Sequence, residues 1–252
     1  MVDWPPPLKT VDLEFDGGEG YDDAALMPYA STVHIACGGH TGDDASMREA
    51  VLLAKEKGVA IGAHPSYPDR ASFGRKKVDV PPEALAEEIG RQIESLLAIV
   101  AGFGSELVSV KPHGALYHEV ARDADLARLF ARTVSAVTPR VTLVTFPKSE
   151  LHVAASQWGL RSKGEAFADR RYEADGSLVS RTEPDALIED PEEAARQALS
   201  IVRDRVVTAR GGTPLEVYAQ ALCVHSDTPG AGKIAAAVRG ALVEAGYEVK
   251  SQ

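Results

Sequence analysis

Six short apolar segments of this chain run directly into residues that can move protons or hold ions. Val11–Phe15 (VDLEF) leads to Asp16 and Glu19, and Val33–Cys37 (VHIAC) to His40 and Asp43. Val59–Ala63 (VAIGA) precedes His64, Asp69 and Arg70, while Leu107–Val110 (LVSV) precedes Lys111 and His113. Ser162–Phe167 (SKGEAF) carries Glu165 and opens onto Asp169 and Arg170; Ala219–Val224 (AQALCV) opens onto His225 and Asp227. Taken singly, these residues have plain structural uses. Asp43 reads as a helix cap, Asp69 and Arg70 as a pair, and Asp12 as a core acid tied to a lysine. Taken together, four segment ends that each supply a histidine favour a shared site.

Asp16, His40, His64 and His113 offer a mixed nitrogen and oxygen ligand set for a divalent metal. Zinc held there would lower the pKa of bound water to about 7. No H-x-E-x-H or H-E-x-x-H string accompanies them, and without a metal Asp16 and a histidine still form an acid–base pair. Lys111 has two readings: a Schiff-base amine, or, preferred here, a cation for a substrate carboxylate or phosphate. Arg70, Glu165, Arg170, His225, Asp227 and Thr228 are the further candidates for substrate or phosphate contact. The string HSDTPGAGK (His225–Lys233) is not a P-loop, because Asp227 stands where the first glycine belongs and Ile234 where Ser or Thr belongs. Thr228-Pro229-Gly230 does enter a helix after a late strand, a place where barrels bind phosphate on backbone N–H groups.

The elements that must position these residues are legible as an alternation. The six segments, with Val141–Phe146 (VTLVTF), read as seven strands, near-continuously apolar as in a parallel sheet covered by helices. Between them Asp43–Lys57, Pro82–Ala101 and Ala124–Ala136 carry apolar residues at i, i+3, i+4 spacing. Asp43 and Gly58 bound the first of these, Asp190 caps a helix opened by Pro191, and Pro229 starts the last helix. The spacing predicts one α/β domain over residues 1–252, a seven-stranded parallel (β/α) TIM-like barrel with its site at the C-terminal strand ends. A doubly wound open sheet is the alternative. Residues 170–189, with an Asp-Gly turn, read as a hairpin over the barrel mouth.

Composition sets the outer limits. A formal net charge of -10 argues against nucleic acid or an anionic membrane as partner. No apolar run approaches the ~18 residues of a membrane span, and the opening MVDWPPPLKT has no apolar leader core. Two cysteines in apolar strands fit free thiols and a cytoplasmic location.

The strings DLEFDGGEG, LMPYAS, IACGGHTGD, GVAIGAHPSYPDR with FGR, VKPHGALY, EAFADRRY, DGSLVSR and CVHSDTPGA occur in this order over nearly the whole length. In them the chain resembles the LamB/YcsF family, that of the 5-oxoprolinase A subunits. The resemblance implies a barrel of the glycoside hydrolase/deacetylase type. It also implies ATP-dependent opening of 5-oxo-L-proline to L-glutamate, ATP being used with Mg2+, together with partner subunits B and C. In that scheme phosphorylation of the amide oxygen creates a leaving group and water attacks the activated carbon. Asp16 or a histidine serves as base, and Lys111, Arg70 or Arg170 holds carboxylate or phosphate. A stand-alone metal-dependent deacetylase or amidohydrolase, and a diverged non-catalytic binding subunit, are the alternatives.

Three strings depart from the family pattern. DLNCDLGEG reads DLEFDGGEG, with Glu14, Phe15 and Gly17 for Asn, Cys and Leu; CGFHAGDP reads CGGHTGDD, with Gly39 for Phe; and the fifth strand end reads TFPKSE. Asp12, Glu14 and Asp16 share one face of a strand, roughly 7 Å apart in succession. Glu14 therefore adds like charge beside Asp16, which raises a carboxyl pKa or strengthens a cation site.

Overall fold

A computed structural model describes residues 8–252. The opening residues 1–7, on which the expectation about a leader rests, lie outside the described residues. The strands are β1 (Thr10–Gly17), β2 (Thr32–Ala36), β3 (Ala60–His64), β4 (Leu107–Val110), β5 (Thr142–Thr145), β6 (Arg161–Phe167), β7 (Val206–Thr208), β8 (Pro214–Glu216), β9 (Ala221–Cys223) and β10 (Glu248–Val249). Strands β1 to β6 and β9 pair in parallel, each with the next, and β9 pairs back onto β1, so the sheet closes into a seven-stranded barrel. Closure excludes the open doubly wound sheet. The pair β7–β8 is antiparallel and separate, and β10 extends the first two residues of β1.

The helices are α1 (Asp23–Leu26), α2 (Asp44–Lys57), α3 (Pro82–Gly102), α4 (Gly114–Arg122), α5 (Ala124–Val137), α6 (Glu150–Gln157), α7 (Pro191–Leu199) and α8 (Ala231–Glu244). Each long helix turns one apolar stripe to the sheet: Leu85, Ile89, Ile93, Leu96 and Val100 on α3, and Ala127, Phe130, Ala131 and Val134 on α5. Asp43 caps α2 through a reciprocal bond pair with Ser46, and Gly58 ends it in the left-handed region. Asp190 caps α7. The last helix begins slightly later than its sequence suggests: Thr228 and Pro229 lie in the approach, and Gly230 is the N-cap of α8. No described helix is long and apolar enough to cross a membrane.

The barrel interior departs from the aliphatic filling common in such folds. Alternation along β1 sends Leu13 and Phe15 outward to the helices and Asp12, Glu14 and Asp16 inward, where all three are buried. Asp12 accepts from Ser31 Oγ at 2.7 Å and Thr32 Oγ1 at 2.8 Å, and it pairs with Lys163. Lys163 Nζ also stands 3.0 Å from Glu14, an ion pair too far off axis to be a hydrogen bond. His34 of β2 bonds Ser109 Oγ of β4 at 3.0 Å, crossing over β3. Gly62 makes that crossing fit: a Cβ there would lie 2.3 Å from the His34 ring and 2.5 Å from Ser109 Oγ. Cys37 and Cys223 are buried free thiols.

Candidate active site

Strand β1 delivers Asp16 to the C-terminal mouth of the barrel, and the residue after β4 delivers Lys111. Lys111 Nζ donates to Asp16 Oδ1 at 2.8 Å and stands 2.6 Å from Glu165 Oε1, with Cys223 Sγ at 3.4 Å. Tyr117 from α4 donates to the other oxygen of Glu165 at 2.8 Å. Burial draws the Lys111 pKa down, but Asp16, followed by Cys223, Glu165 and Glu14, outweighs it and leaves the ammonium well above its ordinary range. Burial likewise opposes ionisation of Asp16, yet His64 and Lys111 hold its carboxyl well below the usual range. Lys111 is thus a fixed cation and Asp16 a fixed anion. A Schiff base needs the neutral amine, which these partners disfavour, and the ammonium pairs with Asp16 and Glu165.

The histidines form a second layer beside this pair. His64 Nδ1 donates to the Lys111 carbonyl at 2.8 Å, and His113 Nε2 donates to the Phe73 carbonyl at 3.0 Å. These carbonyls fix which ring nitrogens carry protons and aim His64 Nε2 and His113 Nδ1 at one another, 3.0 Å apart. Asp16 Oδ2 lies 3.4 Å from His64 Nε2. His40 stacks on His113, ring centroids 3.6 Å apart and 5° from parallel, and its Nε2 donates to Glu19 Oε1 at 2.8 Å. Burial pulls His40 to about 2 and His113 well below its ordinary value, so both rings are neutral. For His64 burial also acts downward, but Asp16 prevails and the pKa is raised. Glu19 is pushed up by burial against the pull of His113 and His64.

A third group sits after β6 and β9. Asp169 accepts from the backbone N–H of His225 at 2.9 Å, from the His225 ring at 3.0 Å and from Thr228 Oγ1 at 2.6 Å. The His225 ring lies over Phe167. Asp227 takes two guanidinium contacts, Arg75 at 2.7 Å and Arg181 at 2.8 Å. Segment 170–189 does fold over the mouth: Tyr172 bridges Leu178 around the Asp175-Gly176 turn, and Val179 to Thr182 line the cavity. That cavity holds about 380 Å³ and reaches Asp16, His64, Lys111, His113 and Arg170.

The structure therefore brings Asp16, His40, His64, Lys111, His113 and Glu165 into one contact network, with Arg170, His225 and Asp227 around the same cavity. Arg70 is placed elsewhere. It donates to the Gly42 carbonyl and lines a separate hollow with Met47 and Arg91, and Asp69 bonds Ser72 rather than Arg70. Thr228 spends its hydroxyl on Asp169, and Asp227 is an anion held by two arginines, so neither is a ready phosphate ligand. The Glu14 carboxyl is raised well above the usual range, but by burial first and then by Glu165 and Asp12 against Lys163, not by the neighbouring Asp16, which is itself held low. Tyr117, Arg75 and Arg181 join the site although nothing in the sequence pattern assigns them a role in it, and Glu19, expected after β1 without a stated role, joins it as well. Glu19 is visible only as an acid in the loop after β1; the two arginines sit in loops whose spacing carries no periodic signal.

The chain matches the LamB/YcsF family over residues 11–252. It is 48% identical over 250 residues to a protein of Chloroflexus aggregans named as the 5-oxoprolinase A subunit, covering 97% of this chain and 99% of that one. A protein of the same name from Chloroflexus aurantiacus is 44% identical over the same shares of both chains. Among solved structures, a lactam utilization protein of Thermus thermophilus superposes with a TM-score of 0.89 at 42% identity, covering 96% of this chain and 100% of that one.

Proposed function

This chain belongs to the LamB/YcsF family, and from that membership and the geometry of its barrel mouth we propose that it is one component of a cytoplasmic 5-oxoprolinase. The substrate is 5-oxo-L-proline and the product L-glutamate, in an assembly with subunits B and C that consumes ATP. The observation that carries the reading is the pairing of an unspent cation with a charged reaction centre in one small cavity. Arg170 is only 5% exposed, and no described carboxylate lies within ion-pair distance; its Nε has no partner. Burial and the neighbouring Arg181 lower its pKa to about 10, so it remains a guanidinium. A buried cation of this kind calls for an anion, and the ring carboxylate of a lactam acid supplies one.

With the carboxylate on Arg170, the lactam faces the Lys111 network. The Lys111 ammonium stabilises negative charge as it develops on the amide oxygen. Asp16 is too acidic to be an effective base and serves to keep Lys111 and His64 charged. His64 donates a proton to the ring nitrogen as the C–N bond breaks, and Glu19, whose carboxyl is raised by burial and lines the cavity, receives one from the attacking water. Water thus adds across the amide, giving a carboxylate and an amine. ATP is a requirement of the assembled enzyme in this proposal and is assigned to no residue of this chain. His225–Lys233 lacks a phosphate cradle, with Thr228 and Asp227 already engaged.

The test is reconstitution. The purified chain with its B and C partners, ATP and 5-oxo-L-proline releases glutamate and ADP, and Arg170→Ala raises KM at least about tenfold by removing a charge-assisted contact. No release, with another enzyme of the family active in parallel, overturns the reading. One observation favours a second reading, a metal-dependent amidohydrolase: the convergence of Glu19, His64 and His113.

A further inference from the structure

We propose that Glu19 Oε1, His64 Nε2 and His113 Nδ1 bind one first-row divalent cation at the barrel mouth. The inference stands on donor geometry rather than on the 5-oxoprolinase reading. The three atoms form a triangle with sides of 3.0, 3.4 and 3.9 Å. The circle through three points so spaced has a radius of about 2.0 Å, the length of a zinc–imidazole or zinc–carboxylate bond. A single ion therefore reaches all three donors without moving them.

The supports around the triangle are those a metal site needs. Each ligating ring gives its outer N–H to a backbone carbonyl, Lys111 for His64 and Phe73 for His113, which leaves the inward nitrogen as a lone pair. His40 donates to the oxygen of Glu19 that faces the rings and stacks flat on His113, fixing both. The charges agree as well. Asp12, Asp16 and Glu165, with Glu19 at the rim, share the barrel with only two ammonium groups, Lys111 and Lys163, among the described residues, so the interior accepts added positive charge. Without an ion, the 3.0 Å contact between two ring nitrogens demands one extra proton on the histidine pair. Cation and proton compete for the same place.

Two imidazoles and one carboxylate suit zinc, and also iron, cobalt or nickel. This set differs from the one expected of Asp16, His40, His64 and His113. His64 and His113 remain, Glu19 enters, and His40 moves behind Glu19. Asp16 stands on the Lys111 side of His64. Once bound, the ion supplies a Lewis acid and an acidified water beside Asp16 and Lys111.

The chain, stripped with a chelator, is titrated with cobalt(II) and with zinc at about pH 7.5 and followed by visible absorption and by metal content after gel filtration. One equivalent is expected to be retained, with the cobalt absorption of a low-symmetry nitrogen and oxygen site. His113→Ala and Glu19→Gln weaken retention at least about tenfold and His40→Ala by a smaller factor, because outer supports matter less than ligands. Affinity increases with pH, since binding expels the shared proton. Should either ligand variant fail to fold, 15N spectra of the histidines in the unaltered chain decide: zinc shifts the signals of His64 and His113 and leaves His152 unmoved. No retained metal at about 1 mM, or retention indifferent to His113 and Glu19, overturns the proposal. Neither result bears on whether the assembled enzyme opens 5-oxoproline, because no arm reads turnover.

Discussion

Lys111 separates Asp16 from Glu165, and its ammonium faces both carboxyl groups in a dry interior, 2.8 Å from one and 2.6 Å from the other. Replacing it by Met leaves two buried carboxylates without their cation, a loss of the order of 3–5 kcal/mol where one partner of a buried pair is removed. We expect Lys111→Met to unfold at markedly lower urea concentration and to abolish turnover in the reconstituted enzyme. A variant as stable as the parent would mean that the network is not paired as described. Glu14 predicts the opposite sign. Burial raises its carboxyl in the folded chain, so the folded state holds the proton more tightly than the unfolded one. Such a group adds stability below its unfolded pKa of about 4.3, and that stability is lost as pH rises through the folded value. Gln reproduces the protonated form, and Asp12 still pairs Lys163. Glu14→Gln should therefore match the parent near pH ~4 and melt above it at pH ~8, each kcal/mol being worth roughly 2–4 °C. Equal melting temperatures at the higher pH would remove the argument.

At the scale of elements, the loop between β2 and α2 shows how a departure from the family pattern is absorbed. Gln92 of α3 is buried and clamps the Ser66 backbone, accepting from its N–H and donating to its carbonyl at 3.0 Å each. It occupies the space beside Gly39, where a Cβ would lie 2.3 Å from Ser66 Oγ and 2.6 Å from Gln92 Oε1. Gly39→Ala should thus cost about 1–3 kcal/mol by overpacking. The loss should shrink in the Gly39→Ala/Gln92→Ala double variant, because neighbours are not additive. Urea unfolding of the four chains reads this directly; an additive cycle would place Gln92 outside the problem. The strands and the long helices are legible in the sequence because their periods of two and 3.6 are imposed by burial on one face. Short α6 and the β7–β8 pair give little periodic signal, and α4, amphipathic through Leu116, Tyr117 and Val120, is too brief to stand out. Closure of the barrel is legible only as a repeat length, since β9 pairing with β1 is a long-range event.

For the whole molecule, the same contrast separates what sequence shows of the site from what it hides. Asp16, His40, His64, Lys111 and His113 are visible because each ends or follows a strand, and the barrel turns that order into proximity. Arg75, Arg181 and Glu19 depend on loop paths, and Arg70, equally close to a strand end, is turned away to the Gly42 carbonyl. The two arginines matter as a latch. Arg75 follows β3, Arg181 comes from the segment over the mouth, and Asp227 follows β9; their contacts tie three distant parts of the chain across the cavity entrance. Both arginines are partly exposed, so each pair is worth no more than about 1 kcal/mol and weakens with salt. We expect a latch that weak to open and admit substrate, carrying with it Val179 to Thr182, which line the cavity beside Arg181. Asp227→Asn should therefore raise KM several-fold in the reconstituted enzyme while leaving kcat within about twofold and the melting temperature nearly unchanged. Raising salt from about 50 to 500 mM, which shortens the screening length severalfold, should raise KM of the parent in the same way and that of the variant much less. A fall in kcat at constant KM would instead mean that Asp227 touches the reacting atoms.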